Sequence, residues 1–428
     1  MSSKLSAKNW IALVLVGLFG QFAWTIENMY FNVFLYNTIS TDPKYIASMV
    51  AWSAAVATLT TLVMGALSDK LGKRKLFICS GYILWGLSTM AFGFVTAENA
   101  AKLFPAANAT AAAAMMVVFL DCLMTFFGST ANDGAFNAYV TDITDNSNRG
   151  RVESVLAILP LVSMLVIFGL FDGLTQQGKW REFFSIFGVA VTAVGLLCTV
   201  LIKDEAKLKA GNDTYFKNLV YGMKPSVIKA NPELYLSFAA FCVFSIAVQV
   251  FFPYLIIYIQ NYLGINDYAI ILGVVLLTAS VVSVISGRFI DRFGKTAFTA
   301  PASTIMLAGL VGMFFVRSSI GVIFAGIVMM SGYMMMSATL GANIRDWTPE
   351  GKVGHFQGIR MIFAVLLPMI IGPSIGAAVI KGSNSTYIEL GQVKTVPTPG
   401  IYLAAAVVLL LVAIPVLILR RKEKLSER

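Results

Sequence analysis

Charge is what this sequence has least of. Asp, Glu, Lys and Arg make up 13% of its 428 residues, against about 25% in soluble globular proteins. That leaves too little polar surface to solvate a globule of this length. Histidine is nearly missing. His355 stands alone, which excludes a multi-histidine metal site and leaves little general-base capacity. Cysteine is confined to Cys79, Cys122, Cys198 and Cys242, each inside an apolar run and none in a C-x-x-C pair. Neither a disulfide framework nor a zinc site is expected. No G-x-x-x-x-G-K-[ST] loop occurs. In the nearest approach, Gly294-Lys295-Thr296, Phe289 stands where the first glycine belongs. That argues against a nucleotide-driven pump. No repeated filter sequence and no nucleophile–base constellation points to a channel or a membrane enzyme.

What is abundant is apolar. The chain is 57% hydrophobic, with a mean hydropathy of +0.77, and lipid is the solvent that suits it. Crossing the hydrocarbon takes about 20 apolar residues. By that rule twelve spans are expected, at roughly 10–37, 45–67, 76–96, 112–141, 152–172, 182–202, 234–262, 268–287, 298–316, 320–344, 356–380 and 399–419. The first run is too long for a signal-peptide core and no small-residue cleavage site comes after it, so it reads as the first span. With both ends in the cytoplasm, 25 of the 32 lysines and arginines fall in inner segments and 7 in outer ones. This bias orients the chain in a cell inner membrane and accounts for the net charge of +10 without nucleic acid. The charged inner segment 203–231 reads as a linker between two halves, 1–202 and 232–428.

The halves echo each other. Gly65-Ala-Leu-Ser-Asp69-Lys-Leu-Gly72-Lys comes after span two, and Gly287-Arg-Phe-Ile-Asp291-Arg-Phe-Gly294-Lys after span eight. Both fit G-x-x-x-D-[RK]-x-G-K. Asp142 after span four is matched more weakly by Asp346 after span ten. Parallel repeats about an axis along the membrane normal are a transporter architecture. The segment Gly65 to Lys75 resembles the loop between helices two and three of the major facilitator superfamily. The resemblance implies an all-α membrane protein of two six-helix bundles. It also implies a cytoplasmic latch in which Asp69 meets the positive N-terminal end of span eleven, near Gly354 to Phe356. Gly65, Gly72, Arg74, Asp291 and Arg360 are the other candidate gating residues. For the basic residues of the loop, simple retention on the inner side is an equal explanation. The run Gly351 to Met361, the Asn132-Asp133 pair and the acids on spans one and four resemble the glycoside–pentoside–hexuronide:cation symporters.

An ionisable group at bilayer depth costs at least about 2.5–3.5 kcal/mol, so each needs a reason. At about 100° per residue, Gln21, Trp24, Asn28 and Asn32 share one face of span one, with Glu27 on its flank. That face lines a water-filled cavity or glues helices together. On span four Asp121, Thr125, Asn132 and Tyr139 share a face. Asp133 lies to the side, where Arg149 or Arg151 could pair with it. Arg360 on span eleven either snorkels to the interface or pairs with a carboxylate. Gln249, Tyr254, Tyr258 and Asn261 on span seven and Asn343 on span ten add amides and aromatics. Such groups suit a sugar's hydroxyls and apolar ring face, and other polar solutes as well. Met334-Met335-Met336 reads as packing.

These features together describe a secondary active transporter, moving a small polar organic solute, a sugar or glycoside, by symport. A proton-coupled exporter of lipophilic compounds is the alternative. The amide-rich face of span one favours the polar solute. The candidate substrate-binding residues are Gln21, Trp24, Glu27, Asn28, Asp121, Thr125, Asn132, Gln249, Tyr254 and Asn343. In the resembled symporters helix two carries acids for sodium. Span two here has none, so a proton is expected on Glu27 or Asp121, with sodium second. The expected partners are the solute, the coupling cation and membrane lipid, with no nucleic acid, no metal and no cofactor. The chain is expected to act as a monomer and not as an enzyme. A cysteine placed at Ala107 or Gly391 is predicted to react with an impermeant maleimide from outside the cell. Labelling only from the cytoplasm would reverse the topology.

Overall fold

A computed structural model describes residues 5–144, 149–203, 221–293, 295–349, 353–383, 385–389 and 392–426. The expectations placed on residues 204–220 of the linker, on Gly294 and on the side chains of Asp69, Asp291, Arg149, Arg151 and His355 lie outside the described residues.

Among the described residues, eleven helices are long and apolar enough to cross a membrane. They are Ala7–Thr38, Pro43–Ser68, Arg74–Phe94, Ala109–Ile143, Ile158–Gln176, Trp180–Leu201, Pro232–Tyr262, Thr296–Phe315, Ser319–Trp347, Gly358–Gly382 and Gly400–Lys422. The helix Tyr268–Phe293, apolar over Tyr268–Ser283, completes the twelve as span eight. The chain is thus a multi-pass helical membrane protein. The one feature beyond helix among the described residues is a short antiparallel pair, Thr386–Glu389 with Gln392–Thr395, between spans eleven and twelve. All four cysteines are free thiols.

The contacts divide the chain into two compact units. One comprises Met1–Ser40 and Trp52–Phe216, the other Thr41–Ala51 and Lys217–Arg428. Span two therefore begins in the second unit and continues in the first. In the second unit Lys381 Nζ lies 3.1 Å from Asp42 Oδ1. The linker's described end packs there too. Val227 joins Leu234, Phe238, Ile344, Phe356 and Ile359 in one buried cluster.

Lipid tails are as apolar as leucine, so helices in a bilayer associate by close packing rather than by escape from water. Glycine supplies that closeness. In the first unit a Cβ on Gly188 would lie 2.6 Å from the carbonyl of Gly86, and one on Gly195 would lie 2.7 Å from the nitrogen of Ile83. Spans three and six thus touch through their backbones. Gly134 of span four meets the backbone of Gly65 in the same way, at 3.2 Å.

Among the described residues, five spans contain a turn with i→i+5 bonding. The N–H of Phe31 reaches the carbonyl of Ile26 in span one, and that of Asn137 reaches Asn132 in span four. Asp172 reaches Ile167 in span five, Leu263 reaches Tyr258 in span seven, and Leu367 reaches Ile362 in span eleven. Each such turn accommodates one extra residue, so the helix beyond it is rotated by about 100° from a continuous α register. In span one the turn begins one residue before Glu27.

Gly188→Leu is predicted to force spans three and six apart and lower stability by about 1–3 kcal/mol. Gly173→Ala, where a Cβ meets nothing within 4 Å, serves as the comparison and gains up to about 1 kcal/mol. Detergent-solubilised melting curves read both; equal melting points would discount the glycine contact.

Candidate functional site

The first unit gathers four oxygen-bearing side chains from three spans. Glu27 comes from the i→i+5 turn of span one, Ser53 from span two, and Asp121 and Thr125 from successive turns of span four. All are buried: Glu27 is 8% exposed, Ser53 2%, Asp121 1% and Thr125 0%. Ser53 Oγ lies 2.7 Å from Glu27 Oε1, and Thr125 Oγ1 lies 2.9 Å from the same oxygen. The two hydroxyls are 2.7 Å apart. Asp121 stands near both Glu27 and Ser53. Glu27 Oε2 and Asp121 Oδ1 have no hydrogen-bond partner among the described residues. Among those residues no salt bridge involves either acid; the pairs found are Arg74–Asp142, Lys102–Glu98, Lys381–Asp42 and Lys422–Glu233. Two carboxyl groups thus share one dry site without a cation.

One turn away, a hydrogen-bonded line crosses three spans. The indole N–H of Trp24 points to Asn132 Oδ1 at 3.4 Å, and Asn132 Nδ2 donates to the Tyr82 hydroxyl at 2.7 Å. That hydroxyl donates to the carbonyl of Val16 at 2.7 Å. The Trp24 and Trp85 rings lie 4.9 Å apart. A side chain at Gly128 would strike both indoles. Asn132 is 6% exposed and both its amide atoms have protein partners, so in this arrangement it holds helices together. Gln21, Trp24 and Asn28 are half-buried. Asn32, expected on their face, is 1% exposed. The inserted residue at Ile26–Tyr30 rotates it into the bundle, which a continuous helical wheel does not anticipate.

Asp133 accepts from Ser129 at 3.1 Å. At the end of span two, Gly72 adopts φ 62° and its N–H closes on the carbonyl of Ser68 at 3.0 Å. That is a left-handed helix cap, where glycine is strain-free. Arg74, 5% exposed, pairs through Nε with Asp142 Oδ2 at 3.1 Å and through Nη1 with the Ser68 hydroxyl. Gly65, Gly72 and Arg74 therefore order the loop within the first unit.

The second unit keeps its candidates apart. Tyr254 is fully buried, and its hydroxyl is directed at the carbonyls of Pro373 at 2.9 Å and Pro43 at 3.3 Å. Asn343 is 3% exposed and accepts from Thr296 at 3.4 Å. Gln249 is half-buried with Gly372 against its Cβ, and Arg360 is exposed.

Sequence reasoning missed two participants. Ser53 carries no distinguishing pattern among the serines and threonines of span two. Asp172 is a carboxylate at the end of an apolar run, and that signal was readable. It is 2% exposed, takes the Tyr30 hydroxyl at 2.9 Å and the Gln176 amide at 2.6 Å, and ties span one to span five.

A family model described as Major Facilitator Superfamily matches residues 13–344 and 267–428. No curated protein matches the chain significantly. Solved structures match over nearly the whole length. The nucleoside transporter NupG is 12% identical with a TM-score of 0.71, covering 96% of this chain and 98% of that one. A bacterial homolog of the human lysosomal transporter Spinster, inward-facing and unoccupied, is 14% identical with a TM-score of 0.67, covering 98% of each chain. The xylose transporter XylE from E. coli, partially occluded and inward open, is 12% identical with a TM-score of 0.66, covering 94% and 97%. At these identities the likeness is one of fold.

Ser53→Ala and Thr125→Val each remove a hydroxyl partner from buried Glu27. Each is predicted to lower stability by about 1–3 kcal/mol, read as the melting point of the purified protein. Two unchanged melting curves would show that the oxygen cluster holds nothing together.

Proposed function

The chain belongs to the major facilitator superfamily, and from that premise we propose that it carries a small polar organic solute, a sugar or glycoside, by proton symport with alternating access. We place it in a cell inner membrane with both termini in the cytoplasm, on the strength of the 25-to-7 distribution of its basic residues.

The observation that carries the coupling is the oxygen triangle. Glu27 Oε1, Ser53 Oγ and Thr125 Oγ1 make three mutual contacts of 2.7–2.9 Å. Three hydrogen bonds need three protons, and the two hydroxyls supply two. A proton on Glu27 is the third, and it closes the ring. The same spacing disfavours sodium. An ion of similar size, calcium, holds oxygens at about 2.3–2.6 Å, which spreads neighbouring ligands beyond about 3 Å. Asp121 completes the device. Two carboxylates without a cation in a dry site do not both ionise readily, so a proton taken by one is felt by the other.

The solute reading rests on the half-buried face of Gln21, Trp24 and Asn28 beside that cluster. Two amides and an indole offer donors, acceptors and a flat apolar surface, which matches a hydroxylated ring. A fold shared with a xylose transporter and a nucleoside transporter is compatible with such a solute. Substrate hydroxyls that donate to Glu27 Oε2 or Asp121 Oδ1 would link solute and proton in one pocket. In the loop after span two, the Gly72 cap and the Arg74–Asp142 pair hold a candidate gating element in shape.

A melting-point screen against mono- and disaccharides and β-glucosides selects the solute, because a ligand of the folded state raises stability. With the selected sugar, Glu27→Gln and Asp121→Asn are each predicted to abolish accumulation driven by a pH gradient in vesicles, while Glu27→Gln keeps energy-independent counterflow. Accumulation by both variants, or uptake that responds to sodium and ignores pH, would defeat the proton assignment.

A further inference from the structure

Span twelve of the second unit is broken. It runs as Gly400–Leu410 and resumes as Ala413–Ser426. Pro415 is the cause: it has no N–H to give the carbonyl of Leu411, four residues back. The chain tightens instead, with Leu411 N–H to Val408 O at 3.1 Å, Val412 N–H to Leu409 O at 3.0 Å and Ile414 N–H to Leu411 O at 3.2 Å. From this break a groove of about 240 Å³ runs between spans nine and twelve toward the end of the chain. Leu307, Leu410 and Val416 line it, and Thr299, Ser303 and Arg420 bring polar groups to it.

Its dimensions are those of one leaflet. Leu410 to Arg420 is ten residues of rise, about 15 Å, which is half of the roughly 30 Å hydrocarbon thickness. Leu410 and Leu417 on its border are each 57% exposed, as lipid-facing residues are. Arg420 sits at the outer end. Its neighbour Lys422 is engaged with Glu233 at 3.3 Å. No ion pair among the described residues involves Arg420. An arginine fork at the head of an acyl-sized groove fits a phosphodiester bidentately. The structure assigns this groove as a site for one anionic phospholipid, in the leaflet at the Arg420 end of span twelve. The acyl chain lies along spans nine and twelve, and the head-group phosphate meets Arg420 and the Ser303 hydroxyl. Phosphatidylcholine presents the same phosphodiester but brings a choline cation beside Arg420, so the site favours a head group of net negative charge.

Native mass spectrometry of the full chain, delipidated and titrated with phosphatidylglycerol or phosphatidylcholine, tests the assignment. Wild type is expected to retain phosphatidylglycerol preferentially. Arg420→Gln is expected to cut that retention about fivefold, and Arg421→Gln, outside the groove, to leave it unchanged. Ala300→Phe fills the groove from span nine without touching charge and is expected to lower retention of phosphatidylglycerol too. It keeps the test open if the arginine variant fails to fold. Equal retention of the two lipids overturns the proposal, as do equal losses from Arg420→Gln and Arg421→Gln. So does glycerol 1-phosphate matching the stabilisation given by phosphatidylglycerol, since acyl chains would then be irrelevant.

Discussion

Lipid offers no water to a carboxyl group, and the described residues of the first unit offer Glu27 and Asp121 no cation. What it offers is hydroxyls. Ser53 and Thr125 both lie within hydrogen-bonding distance of Glu27 Oε1, and the rest of the unit is arranged so that they can. Spans one, two and four must approach closely enough for short side chains to meet. Gly65 and Gly134 allow that for spans two and four. The i→i+5 turn in span one starts at Ile26, one residue before the acid it presents. Desolvated acids are stable in such a place only when neutral or well hydrogen-bonded. Passing between those two conditions is what the proposed proton coupling asks of the site, whatever solute travels with it.

The fold was readable because its physics is compositional. Scarce charge and long apolar runs determine the helical membrane class and the succession of spans without any knowledge of contacts. The acids of the site were readable for the same reason, since an ionisable group at bilayer depth is conspicuous. Ser53 was not, because a serine in an apolar helix satisfies itself on its own backbone as easily as on a neighbour. Asn132 and Tyr254 show a different limit. Lining a cavity and gluing helices both require a polar atom facing inward, and periodicity cannot separate the two. In the structure the polar atoms of both residues meet protein partners: Trp24 and Tyr82 for one, backbone carbonyls for the other.

Both units pack through glycine, each with a different companion. The first relies on glycine contacts and on a dense aromatic group around spans one, three and six, in which Phe31 stacks on Phe92 at 3.8 Å. In the second, Gly309 and Gly332 let spans nine and ten touch through the backbones of Met329 and Met306. Met335 and Met336 are buried within span ten, so that part of the methionine run is packing. The last span of this unit is interrupted at Leu411 and Val412. A proline one turn into a resumed helix breaks a cylinder, and the groove beside it is what that break leaves open to lipid.

The turn at Ile26–Tyr30 also bears on how this chain is compared with others. One residue is accommodated inside a membrane helix without lengthening a loop. A gap-free alignment of span one with a regular helix is therefore out of step by one position on one side of that turn. Residues matched by position before Ile26 and after Tyr30 cannot both point the same way. Four other spans carry the same dislocation. At identities of 12–14%, residue-by-residue transfer of roles from distant carriers needs insertions placed within helices, where alignment methods are least willing to put them.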